Sequence, residues 1–146
     1  MDINNKQVTV KIYDTGGEER FHSVISSYYK FADGVIFVFD ITNRESFELI
    51  NSWVKTINEN VDSEQIKKVL VGNKIDLKES RVITEEEAKQ MAKNYKMNYC
   101  ETSAKENTGI DDLMQGIVSD IVNEMDLKEQ GIKLNKGKNE QSGCGC

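Results

Sequence analysis

The apolar run Val69-Leu70-Val71 empties into Gly72-Asn73-Lys74-Ile75-Asp76, and this junction restricts the fold more than any other stretch. Three aliphatic residues in succession suit a strand covered on both faces, as in a parallel sheet. Gly72 frees the backbone to turn. Polar side chains then gather past the strand's carboxyl end, where open α/β sheets bind ligands. Gly34 to Ile41, with Val35-Ile36-Phe37-Val38-Phe39 at its centre, and the shorter Met97 to Cys100 read as further buried strands.

Amphipathic helices alternate with these runs. Phe47, Ile50, Trp53, Val54 and Ile57 recur at spacings of 3 and 4, a core-facing stripe. Thr42-Asn43-Arg44-Glu45 reads as a capping box that starts this helix. Thr84-Glu85-Glu86-Glu87 caps a second one, with Ala88, Met91, Ala92 and Tyr95 inward. A third runs from about Thr108 to Met125, its stripe containing Ile110, Leu113, Ile117, Val118, Ile121 and Val122, and Ser23 to Tyr29 is a short helical piece. Near the start, Asn4-Asn5-Lys6 marks a turn. From Gln7 to Asp14, Val8, Val10 and Ile12 alternate with Thr9, Lys11 and Tyr13, the period of a half-exposed strand. The class is therefore α/β, a mostly parallel sheet with flanking helices and right-handed crossovers.

The chain's 146 residues suffice for one domain with a real core. A formal net charge of −6 argues against a nucleic-acid surface, so no nucleic-acid partner is expected. The longest apolar run, Val35 to Phe39, is too short to span a bilayer and no signal peptide opens the sequence, so a cytoplasmic protein is expected. Cys100 lies in an apolar strand and reads as a small buried thiol. Cys144 and Cys146 close the chain and form no disulfide framework.

The strand-end residues suggest chemistry. Asp76 can accept from the N1 and exocyclic N2 donors of guanine, a pair that adenine lacks. Asn73 can tie its loop to neighbours and reach the base edge, and the aliphatic stem of Lys74 can lie over the ring. Glu101-Thr102-Ser103-Ala104-Lys105 follows the next strand. There the Ala104 N–H can donate to guanine O6, Ser103 can brace the Asp76 loop and Lys105 can flank the ring. The alternative is a solvated polar turn at each strand end. Asp14-Thr15-Gly16-Gly17-Glu18 places an acid before two glycines, which suits a magnesium-bound phosphate or, more simply, a Gly-Gly turn.

Asp14-Thr15-Gly16-Gly17-Glu18, Asn73-Lys74-Ile75-Asp76 and Thr102-Ser103-Ala104-Lys105 resemble, in order and spacing, the nucleotide motifs of the Ras-like small GTPases. Val10-Lys11-Ile12-Tyr13, Arg20-Phe21-His22-Ser23-Val24, Tyr28-Tyr29-Lys30-Phe31-Ala32 and Phe39-Asp40-Ile41-Thr42 look like the Rab branch, which directs vesicle traffic. The likeness covers about residue 3 to Asp126. It implies that GTP or GDP is bound with magnesium, with Asp14 facing the ion indirectly and Gly17 sensing the γ-phosphate. Asn73, Lys74, Asp76, Ser103, Ala104 and Lys105 then hold guanine, and Rab effectors or regulators are the expected partners. Glu18 stands where the family usually has its catalytic glutamine. A carboxylate cannot donate to the transferring phosphoryl group, so hydrolysis is expected to be slow.

No Gly-x-x-x-x-Gly-Lys-Ser/Thr occurs in these residues. Against the family pattern, the expectation is a partial P-loop NTPase G domain over residues 1–126, with first strand, first helix, phosphate loop and first switch region missing. The missing strand would lie centrally, between Val8 to Asp14 and Val35 to Ile41, so those two strands must pair directly or leave backbone groups unpaired. Nucleotide binding is then expected to be weak or absent. The alternatives are a non-catalytic, membrane-tethered interaction remnant and a partial product of a longer gene.

Leu127 to Cys146 has little apolar periodicity and reads as a flexible tether reaching about 25 Å. Four lysines (Lys128, Lys133, Lys136, Lys138) against Glu129 and Glu140 give it a net charge of +2. Cys144-Gly145-Cys146 is similar to the doubly prenylated end of Rab proteins. The resemblance implies prenylation machinery as a partner and attachment to the cytosolic face of intracellular membranes. A free cysteine pair, or a chance metal or redox site, is the other reading.

Overall fold

A computed structural model describes residues 1–15, 31–61 and 66–129. Gly17, Glu18, the expected Ser23 to Tyr29 helix, Cys144 and Cys146 lie outside the described residues.

The chain opens as a small antiparallel hairpin, β1 (Asp2–Ile3) and β2 (Lys6–Gln7), with Ile3 opposite Lys6. Its two-residue turn holds Asn4 at φ 51° and Asn5 at φ 61°, the positive angles that a type I′ turn needs and that asparagine tolerates best among non-glycine residues. β3 (Gly34–Asp40), β4 (Lys67–Asn73) and β5 (Asn98–Glu101) form a parallel sheet in the order β3-β4-β5, with Phe37 beside Leu70 and Gly72 beside Glu101. Between them run α1 (Arg44–Asn60), a 3-10 helix (Ile75–Ser80) and α2 (Glu85–Asn94), and α3 (Ile110–Glu129) follows β5. This is the expected α/β architecture of a partial G domain.

Phe37, Phe39 and Leu70 on the sheet meet Phe47, Ile50, Val54 and Ile57 of α1 and Ala88 and Ala92 of α2 in the main core. Trp53, Met91 and Tyr95 flank it half-buried, so the sequence stripes face inward as expected. The Phe39 and Phe47 rings meet edge to face, with centroids 4.8 Å apart. A smaller cluster joins Ile3 of the hairpin to Val118 and Val122 of α3, with Val8 and Ile117 against it. Cys100 is half-buried, and burial pushes its thiol pKa up.

Three expectations need correction. Gln7 to Asp14 is not one strand: pairing ends at Gln7, and residues 8–15 have no regular structure. Alternation becomes a strand only beside a partner edge. The chain here is held instead by Met1, whose O accepts from Val8 N at 2.8 Å, and by α3, through Asn4 to Asn123 at 2.8 Å. Ile12 and Tyr13 are left exposed. Neither does this segment pair with β3: among the described residues β3 is bonded to β4 alone, and Val38 is 54% exposed. Secondly, Thr42 and Glu45 make no capping box. Asn43 is the cap, its side chain accepting from Ser46 N at 3.0 Å, because Thr42 turns back to donate from N and Oγ1 to Asp40 Oδ1. The box expected at Thr84 and Glu87 is present in full. Thirdly, α3 continues past Met125 to Glu129, into the start of the expected tether, with Lys128 paired to Glu124 one turn earlier.

Candidate functional site

Parallel pairing of β4 and β5 brings their carboxyl ends level, and the ladder continues into the loops. Thr102 N donates to Gly72 O at 2.9 Å and Ile75 N to Thr102 O at 3.2 Å. Gly72 makes room for the side chains packed over this junction: a Cβ there would stand 3.0 Å from Tyr99 Oη, 3.1 Å from Ile41 Cγ2 and 3.2 Å from Phe39 Cζ.

Past Gly72, Asn73 Oδ1 accepts from Thr102 Oγ1 and from Ala104 N, both at 3.2 Å. The tie between loops expected of Asn73 is therefore made, and it takes the Ala104 N–H that the sequence reading assigned to a base O6. Lys74 has φ 70° and ψ 37°, a left-handed conformation strained for a side-chain-bearing residue. Its Nζ lies 2.6 Å from Asp40 Oδ2, at the end of β3. Asp76 Oδ1 accepts from Ser103 Oγ at 2.6 Å, the brace expected of Ser103. Lys105 Nζ lies 4.0 Å from Asp76 Oδ2.

These groups act electrostatically in one direction. The Ser103 hydrogen bond, opposed by partial desolvation and aided by the Lys105 and Lys74 charges, holds the Asp76 carboxyl below the usual carboxylate range. It is an acceptor-only carboxylate at neutral pH. Asn73, Lys74, Asp76, Leu77, Ala104 and Lys105 line a single cleft of about 350 Å³. Five of the six predicted base-contacting residues thus share one wall system, with Ser103 fully buried behind it.

Asp14, the candidate magnesium residue, is exposed in the irregular segment rather than standing at a strand end. Among the described residues no three His, Cys, Asp or Glu side chains gather for a metal. Gly17, Glu18, Cys144 and Cys146 are outside the described residues. Sequence reasoning missed Asp40, Thr102, Arg81 and Glu101. Asp40 had a usable signal, an acid at the end of a buried strand. The others are found only through partners distant in the chain.

Two neighbouring strand-end loops close on a base-sized cleft with one carboxylate, Asp76, between two lysines, Lys74 and Lys105, and sequence comparison agrees with that arrangement. The Ras family profile matches residues 1–123. The chain belongs to the Ras family. Within it, the chain is similar to "Ras-related protein Rab-10" of Diplobatis ommata, 36% identical over 129 residues, 88% of this chain and 64% of the relative. It is similar to "Ras-related protein Rab-13" of Bos taurus, 37% identical over 134 residues, 92% of this chain and 64% of the relative. "Ras-related protein Rab-8A" of Bos taurus is 31% identical over 151 residues, covering 97% of this chain and 72% of the relative. The chain is therefore Rab-like, and it spans 64% of the length of the Rab-10 and Rab-13 relatives.

Proposed function

We propose that the cleft is the guanine-recognition corner of a Rab-like small GTPase of vesicle traffic. The observation that carries this is the Asp76 carboxylate, held ionised by Ser103 at 2.6 Å in a cleft walled by Lys74 and Lys105. Two carboxylate oxygens match the N1–H and N2–H donors of guanine. The Lys74 stem, its Nζ paired with Asp40, offers an apolar surface to the ring face, and Lys105 lines the same cleft. Ala104 N–H serves O6 once it is released from Asn73.

The donor set fits the base better than it fits the phosphates. Magnesium, when bound, neutralises phosphate charge, and Asp14 is the residue here that faces it by resemblance. The 146 residues contain no Gly-x-x-x-x-Gly-Lys-Ser/Thr to cradle the phosphates. Base hydrogen bonds contribute roughly 3–6 kcal/mol against an association term of about 4 kcal/mol or more. The 146 residues alone are then expected to bind GDP with a Kd of about a millimolar or weaker. Glu18 in place of glutamine keeps hydrolysis slow in this reading. Cys144 and Cys146 carry the membrane attachment: two isoprenoid chains anchor stably where one is marginal.

Asp76→Asn tests the base assignment. An amide presents one acceptor and one donor, so it disfavours guanine and favours a base with a carbonyl at C2, such as xanthine. Titration calorimetry with GDP and XDP is expected to reverse the preference. An unchanged preference would remove Asp76 from the base edge.

A further inference from the structure

We infer that Arg81 and Glu101 are positioning residues that hold the two base loops in register and so set selectivity for the guanine edge. This rests on the reading of the cleft as a guanine site. Arg81 follows directly on the 3-10 helix Ile75–Ser80, whose first turn carries Asp76. Glu101 ends β5, one residue before Thr102 and two before Ser103. The pair therefore links the far end of one loop to the near end of the other.

Its geometry is constraining. Arg81 Nη1 donates to Glu101 Oε1 at 2.8 Å and Nη2 to Oε2 at 2.9 Å, a bidentate fork that fixes orientation as well as distance. Arg81 Nη1 also donates to Ile83 O at 3.2 Å. Glu101 Oε1 accepts a further bond from Tyr99 Oη at 2.6 Å. That hydroxyl packs over Gly72, immediately before Asn73. Burial and the adjacent Glu101 push the Tyr99 pKa up, so the hydroxyl remains a donor. Side-chain exposures of 25% and 21% leave the pair only partly screened by water. Neither side chain lines the cleft, so any effect on the base is exerted through Asp76 and Ala104.

A guanine must meet Asp76 on one loop and Ala104 on the other at the same time. N–H···O bonds form over donor–acceptor distances of about 2.7–3.2 Å and weaken steeply as the donor angle falls below about 120°, so slack between the loops loses one contact before the other. The sensitive readout is the 2-amino group, which GMP has and IMP lacks.

The experiment is an NMR titration of the whole 146-residue chain with GMP and with IMP, for wild type, Arg81→Ala and Arg81→Lys, with thermal unfolding of each. Wild type is expected to prefer GMP about tenfold, the worth of one charge-assisted hydrogen bond. Arg81→Ala is expected to bring the ratio to about twofold or less. Arg81→Lys keeps the charge without the fork; it is expected to fall below half the wild-type ratio, and it decides the matter if Arg81→Ala does not fold. A merely structural pair would weaken both nucleotides equally, and an intact ratio in the folded variants overturns this inference alone. A wild-type chain without GMP preference overturns the guanine site, and this inference with it.

Discussion

Ser103 Oγ and Asp76 Oδ1 lie 2.6 Å apart across 27 positions of sequence, joining the loop after β5 to the loop after β4. Ser103 is fully buried and its hydroxyl also accepts from Glu106 N at 3.1 Å, so one oxygen organises both loops. Its backbone meanwhile exchanges two 3.0 Å bonds with Thr108.

Ser103→Ala removes the donor to Asp76 and the acceptor for Glu106 N together. It is expected to destabilise the chain by about 1–3 kcal/mol, measured by urea unfolding. The Asp76 pKa is expected to rise, since the Ser103 bond is the leading cause of its depression. A carbon-13 titration of the carboxyl signal checks this; an unmoved pKa would refute the brace.

Gly109 and Gly116 are expected to answer oppositely to alanine. At Gly109 the backbone φ is +73° and a Cβ would lie 2.5 Å from Glu101 O, so the loop carrying Ser103 must shift. Gly109→Ala is expected to destabilise by about 2 kcal/mol or more. Gly116 lies within α3 with nothing within 4 Å of the added atom, so Gly116→Ala is expected to stabilise by about 0.5–1 kcal/mol. Thermal melts of the two variants test the contrast.

Glu87 links the start of α2 to Arg44 of α1, its Oε1 2.7 Å from Arg44 Nη1. That bond first, and the Thr84 N–H second, pull its pKa from 4.5 down to about 2. A carboxylate with a depressed folded pKa stabilises fully above its unfolded value. The contribution is therefore present above about pH 4.5 and lost as pH falls through about 2. Subtracting the stability-against-pH curve of Glu87→Gln from that of wild type is expected to leave a difference that shrinks across this window. A flat difference contradicts the linkage.

Val38 is 54% exposed on β3, which pairs only with β4 among the described residues. An open edge with an apolar residue on it invites strand pairing between chains. Val38→Lys is expected to reduce the self-association of the 146-residue chain in light scattering, with little change in its melting temperature. Equal scattering by both proteins would place the association elsewhere.

Much of the site was legible in the sequence, because its parts are local. Asn73, Lys74 and Asp76 follow within five residues of a buried strand, and Ser103, Ala104 and Lys105 follow the next strand in the same way. Parallel order then requires the two ends to meet. The helix stripes and the Thr84 to Glu87 box are likewise set within one or two turns. What the chain could not show residue by residue is competition between partners. Val8, Val10 and Ile12 alternate as a strand should, yet a strand exists only where another edge accepts its hydrogen bonds, and here Val8 is taken up by Met1 and the α3 cluster while β3 pairs with β4 alone among the described residues. Thr42 could cap α1 or serve Asp40, and the folded geometry gives it to Asp40. The fork of Arg81 on Glu101 and the Lys74 ion pair with Asp40 lie 20 and 34 residues apart in the chain, separations at which no local periodicity operates. Such pairs form because the sheet brings strand ends together first, and charge and hydrogen-bond geometry then choose among the groups that have arrived.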